Sequence, residues 1–199
     1  MTPSHPCSKP ERAQKGFSLL EVLVSIVILA IGLLGLAGLQ TKANEVEMEA
    51  YQRSVALMLV QDMADRVAAG RQFVAQYQAV SLTTYGTGDA LDIDCDGGGG
   101  AAFHLCEWSK AMKGVGETAA GGNVIGAPIG MRGCLISIPP TDDALGEFFV
   151  VGVWQGLMPT AAPLAGTPGA RCAAAVDFGA GQRRAIVTRV LIPKHAAAG

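Results

Sequence analysis

The chain has 199 residues, of which 50% are hydrophobic and 16% are charged, and its formal net charge is −2. This length allows one ordinary domain with an appended segment, and the apolar excess favours a membrane-spanning stretch. The near-neutral charge, without a basic stripe or an aromatic stacking motif, gives no reason to expect nucleic-acid binding.

An apolar run, Phe17–Leu39, lies near the start of the chain and contains a single charged residue, Glu21. The run has 23 residues. As a helix it would be about 35 Å long, enough to cross a hydrocarbon core of about 30 Å. Basic residues dominate before the run and acidic residues follow it, which predicts a cytoplasmic N-terminus and an exported remainder.

Two ordinary explanations of this run fit it poorly. A secretory signal peptide usually has an apolar region of about 7–15 residues followed by a small-residue cleavage site, and this run is longer. A plain single-span anchor fits the length but leaves Glu21 unexplained. An acid near the middle of a span costs about 2.5–3.5 kcal/mol, less near its end, and usually has a partner. The sequence places no such partner in this chain.

The decapeptide that starts at Lys15, Lys-Gly-Phe-Ser-Leu-Leu-Glu-Val-Leu-Val, resembles the class III signal of type IV prepilins and pseudopilins. The resemblance implies that a prepilin peptidase of the inner membrane removes residues 1–16 by cutting after Gly16, on the cytoplasmic side. The same enzyme would then methylate the new amino group of Phe17. The retained helix would anchor the subunit and later pack in a filament core, where Glu21 pairs with the Phe17 amino group of a neighbouring subunit.

Three glycines replace the proline that this family often has late in the span: Gly32, Gly35 and Gly38. Glycine lowers helix stability, so local melting of the helix would depend on these residues. Close packing of helices in the membrane explains the same glycines equally well. The sequence leaves both explanations open.

Beyond the run, residues 40–70 predict an amphipathic extension of the same helix, which would end near Ala69 because Gly70 follows. Apolar residues at steps of three and four predict one buried face. These residues are Met48, Tyr51, Val55, Leu59, Met63 and Val67. Acid–base pairs four residues apart should add stability, namely Glu49 with Arg53 and Asp62 with Arg66.

Residues 71–199 predict a globular head with an antiparallel sheet, packed on the extended helix as an α+β fold. Segments rich in β-branched and aromatic residues predict strands at Gly133–Ile138, Glu147–Trp154 and Arg184–Ile192. Residues 71–130 predict glycine-rich loops around a short helix, Ala101–Met112. Trp108 and Trp154 are interpreted as core residues.

The last third of the chain narrows the resemblance. Gly133–Ile136, Phe149–Gly156, Arg171–Cys172 and Gln182–Val187 are similar to segments of PilV-type minor pilins. That resemblance implies a protein without enzymatic activity that helps to initiate and assemble a type IV pilus. Its partners would be the prepilin peptidase, other minor pilins in a priming or tip complex, and the major pilin. The alternatives are a type II secretion pseudopilin and, less favoured, a membrane-tethered periplasmic enzyme or binding protein.

Five cysteines are present, and Cys7 lies in the leader that would be removed. The other four favour disulfides in an oxidising periplasm, because a zinc site would usually contain a C-x₂-C pair. Four cysteines allow three pairings. We favour Cys134 with Cys172, joining a strand to the loop before the last strand, and Cys95 with Cys106, closing a glycine-rich loop.

Asp92, Asp94 and Asp96 resemble the start of an EF-hand loop. The twelfth position, where an EF-hand needs glutamate, is Phe103, so the motif fails. A solvated acidic turn is the favoured interpretation, and a looser calcium site stays open. The scattered histidines indicate neither catalysis nor a metal site. We therefore expect no cofactor.

Overall fold

The computed structural model describes residues 16, 18–91, 94–95, 99–115, 117–118, 124–141 and 143–194. The chain divides into two units, Met1–Asn44 and Glu45–Gly199. One helix, α1 (Leu19–Ala69), runs through both ranges. In chain order the later elements are a 3₁₀ turn (Arg71–Phe73), α2 (Val74–Ala79), β1 (Thr84–Gly86), α3 (Ala101–Met112), β2 (Glu117–Thr118), β3 (Val124–Ile125), β4 (Arg132–Ile138), β5 (Ala144–Gln155), α4 (Pro168–Arg171) and β6 (Arg183–Pro193).

In the first unit, α1 begins where the backbone amides of Glu21 and Val22 donate to the carbonyl oxygen of Ser18, at 3.0 and 3.3 Å. Its apolar side chains are exposed along the whole run, from Leu19 at 79% to Leu39 at 69%. The helix is long and apolar enough to cross a membrane.

The end of α1 lies in the second unit, at Ala69, directly before the glycine predicted to stop it.

In the second unit, the part of α1 after Glu45 packs on the head, but not through the face that the sequence predicts. Met63 and Val67 are buried as expected, whereas Met48 and Tyr51 are 50% and 52% exposed. The buried face consists of Gln52, Ala56, Val60, Met63, Ala64 and Val67. The predicted face is therefore wrong over its first half. Ala56 and Ala64 lie on the buried face and bring the helix close to the sheet. The prediction missed them because it was based on large apolar residues.

The head is built on an antiparallel sheet of order β1-β4-β5-β6. The three predicted strands are confirmed as β4, β5 and β6, and the predicted helix is confirmed as α3. The α+β fold with a long N-terminal helix is likewise confirmed. The stretch predicted as loops also contains α2, β1 and the β2–β3 pair. These elements are two to six residues long, too short for periodicity to indicate them.

Each face of the sheet carries a hydrophobic core. On one face, α1, α2 and α3 pack on the sheet through Val60, Tyr77, Trp108, Leu135 and Phe148, all fully buried. On the other face, a smaller core surrounds two cysteines. It contains Cys134, Ile136, Val151, Val153, Cys172, Ala173 and Phe178. Burying one large apolar side chain contributes about 1.5–3 kcal/mol, so the first core supplies most of the head's stability.

Two strand glycines allow the helices to approach the sheet. A Cβ atom at Gly152 would lie 2.7 Å from Val60, and one at Gly133 would lie 2.2 Å from the ring of Trp108. Trp108 is fully buried, and its indole nitrogen donates to the carbonyl oxygen of Leu59 at 2.8 Å. The indole therefore links α3, β4 and α1.

We predict that Gly133→Ala destabilises the head by about 1–3 kcal/mol, because the added methyl group overlaps a ring that cannot move away. The matched control is Gly99→Ala, because a Cβ atom there would meet nothing within 4 Å. Thermal denaturation of the full chain in detergent measures both variants. Equal melting temperatures for Gly133→Ala and the parent would show that the indole does not pack as described.

Candidate functional site

Gly16 lies immediately before the apolar helix and is exposed. A Cβ atom at this position would meet nothing within 4 Å. Within the described residues, the fold therefore gives no reason for a glycine here. Phe17, which would carry the new amino group, lies outside the described residues, as do leader residues 1–15.

Glu21 lies in the first turn of α1 and is exposed. Its backbone carbonyl accepts a hydrogen bond from the hydroxyl of Ser25 at 2.7 Å. Its carboxylate has no hydrogen bond or ion pair with any residue that the structure describes. An acid in the first turn interacts favourably with the helix dipole, but only by about 0.3–1 kcal/mol at an exposed site. This is too little to offset transfer of a carboxylate into an apolar environment.

The glycines at positions 32, 35 and 38 likewise have open space around their Cβ positions among the described residues. A Cβ atom at any of the three would meet nothing within 4 Å. Internal packing therefore does not explain them in this structure. Close packing against another helix and local melting of α1 both remain possible explanations.

The head contains two disulfides, Cys95–Cys106 and Cys134–Cys172, each with its Cα atoms 5.6 Å apart. These are the two pairings favoured from the sequence. Cys134–Cys172 joins β4 to the residue that follows α4, and both cysteines are fully buried in the smaller core. Cys95–Cys106 joins the loop before α3 to α3 itself.

No metal site forms from the acidic turn in the part of the chain that the structure describes. Asp94 is exposed, and Asp92 and Asp96 lie outside the described residues. Across the described ranges, no group of three His, Cys, Asp or Glu side chains is placed to hold a metal ion. A looser calcium site at this turn therefore stays an interpretation of the sequence that the described residues do not test.

Glu49 forms a link that the sequence did not predict. Its carboxylate accepts from Arg184 Nε at 2.5 Å and from the amide of Leu157 at 2.8 Å. Arg184 also donates to the carbonyl oxygen of Met158 at 2.5 Å. The predicted pair of Glu49 with Arg53 is therefore wrong. Pairing Glu49 with the half-buried guanidinium of Arg184 contributes more to stability than pairing it with Arg53 on the exposed helix surface, where water solvates both charges. The other predicted pair, Asp62 with Arg66, is confirmed at 2.8 Å.

Asp89 connects β1 to α3. Its carboxylate accepts from Lys113 at 2.5 Å, from the Ser109 hydroxyl at 2.6 Å and from the amide of Gly86 at 2.8 Å. Burial alone would raise the pKa of Asp89, but these hydrogen bonds outweigh it and hold the pKa below its usual value. Single-residue patterns cannot reveal such a site, because its members come from separate loops and a helix.

Tyr77, which is fully buried, and the half-buried His104 form a polar pair between α2 and α3. The Tyr77 hydroxyl lies 2.5 Å from His104 Nδ1, and the two rings stack with centroids 6.2 Å apart. Burial raises the pKa of Tyr77 to about 12, partly opposed by the charge of Arg66. Burial also lowers the pKa of His104, and Arg66 lowers it further. The Nδ1 atom of neutral His104 can accept a hydrogen bond from the Tyr77 hydroxyl, so the fold favours the uncharged imidazole.

We predict that the head loses stability as the pH falls from about 7 to about 5. The folded state holds the pKa of His104 below the unfolded value of 6.5. Below that pH the unfolded chain binds a proton that the folded chain resists, so stability is complete above it and declines beneath it. Urea unfolding across this range measures the slope. His104→Gln should flatten it, and an unchanged slope would contradict the assignment to His104.

We also predict that the two disulfides differ in their contribution to stability. Loss of a native disulfide from a small exported domain costs about 2–5 kcal/mol, and more when the closed loop is longer. The sequence separations are 38 for Cys134–Cys172 and 11 for Cys95–Cys106. The Cys134→Ala/Cys172→Ala double variant should melt lower than the matched Cys95→Ala/Cys106→Ala variant. Peptide mapping of non-reduced parent protein checks the pairing, and any other partner for Cys134 would overturn it.

Comparison with known proteins adds one finding. Residues 12–37 match the family model described as the prokaryotic N-terminal methylation motif. No curated protein and no solved structure matches the chain. The matched segment contains Gly16, Phe17, Glu21 and the first part of α1, and the head that follows has an α+β fold.

Proposed function

We propose that this protein is a minor pilin that takes part in the initiation and assembly of a type IV pilus. Residues 1–16 are a cytoplasmic leader that a prepilin peptidase removes, and Phe17 is then methylated. Residues 17–39 cross the inner membrane and later enter the filament core, residues 40–70 extend this helix, and residues 71–199 form a periplasmic head. The protein has no enzymatic activity.

The observation that carries this proposal is the unpaired carboxylate of Glu21, four residues after Phe17 in an exposed apolar helix. In a lipid or protein environment, the apolar side chains around Glu21 are favourably buried, but an unpaired carboxylate is not. Cleavage after Gly16 creates an ammonium group at Phe17. The ammonium of a neighbouring subunit then supplies an opposite charge for Glu21, which has no partner among the described residues, and pairing fixes the register between adjacent helices.

The head supports an exported location. Two disulfides in so small a domain suit an oxidising compartment. The charge asymmetry around the apolar run supports a leader in the cytoplasm and a head outside it. The peptidase therefore meets Gly16 on the cytoplasmic side, and the head folds in the periplasm.

A minor pilin is favoured over a secretion pseudopilin by the similarity of the head to PilV-type sequences, especially at Trp154-Gln155-Gly156 and at the cysteines. The partners are then other minor pilins, in a priming or tip complex, and the major pilin. Deletion of the protein distinguishes the two. Loss of surface pili with normal protein secretion supports the minor pilin, and the reverse result identifies a type II secretion pseudopilin.

We predict that Gly16→Val blocks leader removal. A Cβ atom at this position would meet nothing within 4 Å in the part of the chain that the structure describes, so a processing defect is attributed to the peptidase. Gly32→Val is the matched control, because a Cβ atom there also meets nothing, and its leader should be removed normally. Gel migration of the membrane-bound protein measures processing. A mature Gly16→Val protein would contradict cleavage at a peptidase site that requires glycine.

We predict that Glu21→Ala is cleaved and inserted in the membrane but fails to assemble with other pilins. Removing a charge eases insertion. Leaving the neighbour's ammonium without its carboxylate costs about 3–5 kcal/mol if the pair is buried. Glu21→Gln should be impaired less, because it still accepts a hydrogen bond.

Co-purification of tagged protein with the other pilins measures this assembly. The control is Glu47→Ala, an exposed acid on the same helix outside the apolar run, which should assemble like the parent. If Glu21→Ala enters the complex as well as Glu47→Ala does, the account of a partner for Glu21 in another chain is wrong.

A further inference from the structure

A cleft of about 300 Å³ lies in the head between the β1 region and the turn that follows Cys172. This is at the lower end of the size range of ligand pockets, enough for a small group. Arg132, the first residue of β4, lines it. The other lining residues are Thr84, Thr87, Gly88, Asp89, Ala173, Ala174, Ala175 and Val176.

The guanidinium of Arg132 has few partners. Its Nη1 donates to the carbonyl oxygen of Gly130 at 2.9 Å, and its Cζ lies 5.5 Å from the centroid of the Phe178 ring. A guanidinium has five N–H donors, so most of its donor capacity is unused. No carboxylate pairs with it among the described residues. Arg132 is half-buried, and a Cβ atom at Gly88 would lie in van der Waals contact with Nη2, at 3.6 Å, so Gly88 lies beside the guanidinium.

A second cation contacts the same ring. Arg183 lies with its Cζ 4.9 Å from the centroid of Phe178 and donates to the carbonyl oxygens of Gly169, Cys172 and Ala173. These acceptors are neutral. Two guanidinium groups therefore share one aromatic ring, and neither has a carboxylate partner in the part of the chain that is described. Arg183 is not among the residues that line the cleft, so Arg132 is the cation that an anion bound there would meet.

Asp89 lines the cleft but does not neutralise Arg132. One of its carboxylate oxygens is paired with Lys113, and the other accepts from Ser109 and from the amide of Gly86. The side chain of Asp89 is only 8% exposed. Its charge is thus offset within its own network, and the net charge that faces the cleft is positive.

We propose that this cleft binds a carboxylate group, with the Arg132 guanidinium as the main contact. A guanidinium fork matches the two oxygens of a carboxylate, and such paired hydrogen bonds are among the strongest in proteins. Thr84 and Thr87 contribute hydroxyl groups to the same cleft. A free small acid and an acidic group of a polypeptide present the same chemistry. This proposal does not depend on a role in a pilus.

The test uses the full chain in detergent, labelled uniformly with ¹⁵N. Nuclear magnetic resonance at constant ionic strength follows the Arg132 side-chain resonance in the parent and the backbone amide resonances of the cleft residues Thr87 and Gly88 in the parent and in every variant. The probes are acetate and a glutamate residue blocked as its N-acetyl and C-methylamide derivative, with the blocked glutamine residue as the uncharged control. Both carboxylates should shift the Arg132 resonance saturably, and the glutamine probe should not. Tighter binding of the blocked glutamate than of acetate identifies a polypeptide source, and the opposite order identifies a free acid.

Arg132→Gln should weaken binding at least about tenfold, since a charged hydrogen-bonding group is lost. Arg132→Lys should weaken it less, because the charge remains without the planar fork. Arg171→Gln, at an exposed arginine of α4, is the matched control and should bind like the parent. If Arg132→Gln does not fold, Thr87→Val replaces it and should weaken binding severalfold. Absence of saturation, or equal binding by Arg132→Gln and the parent, overturns the proposal.

Discussion

The placement of one carboxylate, Glu21, in an apolar helix is the constraint on which this account of the protein depends. The residues around it favour a lipid or protein environment, and a carboxylate in such an environment needs a partner. The structure places no partner beside it among the described residues. A Cβ atom at Gly16 or at the glycines of the span would likewise meet nothing within 4 Å among the described residues. The proposed function explains Gly16 and Glu21 through contacts with other molecules.

The head, in contrast, is stabilised by contacts within its own unit. Trp108 ties α3 to α1 and to β4. Glu49 ties α1 to β6 and to the segment before it, and Cys134–Cys172 ties that segment to β4. Each link joins parts of the chain that are distant in sequence. Together these links keep helices packed on one face of the sheet and a cross-linked loop packed on the other face. The positive cleft beside Arg132 lies at the edge of that loop.

The sequence predicted the features that depend on local pattern. Strands β4 to β6 follow runs of β-branched residues, and Gly70 marks the end of α1. It failed where the fold brings distant segments together. Met48 and Tyr51 were assigned to the buried face because they are large and apolar. In the structure, Gln52 and Ala56 form that part of the buried face instead. The Arg132 cleft was missed for the same reason, since its lining comes from three separate segments. Gly16 and Glu21 could be identified because their motif lies within ten consecutive residues.

The most direct test of the central claim is the mass of the N-terminal peptide of the protein isolated from the membrane fraction of its own cells. The account predicts a mature chain that starts at Phe17 and carries one methyl group on its amino nitrogen. Such a chain provides the ammonium group that Glu21 of a neighbour requires. A chain that retains Met1, or one cut beyond the apolar run, would lack this group at the start of the helix and would contradict the account.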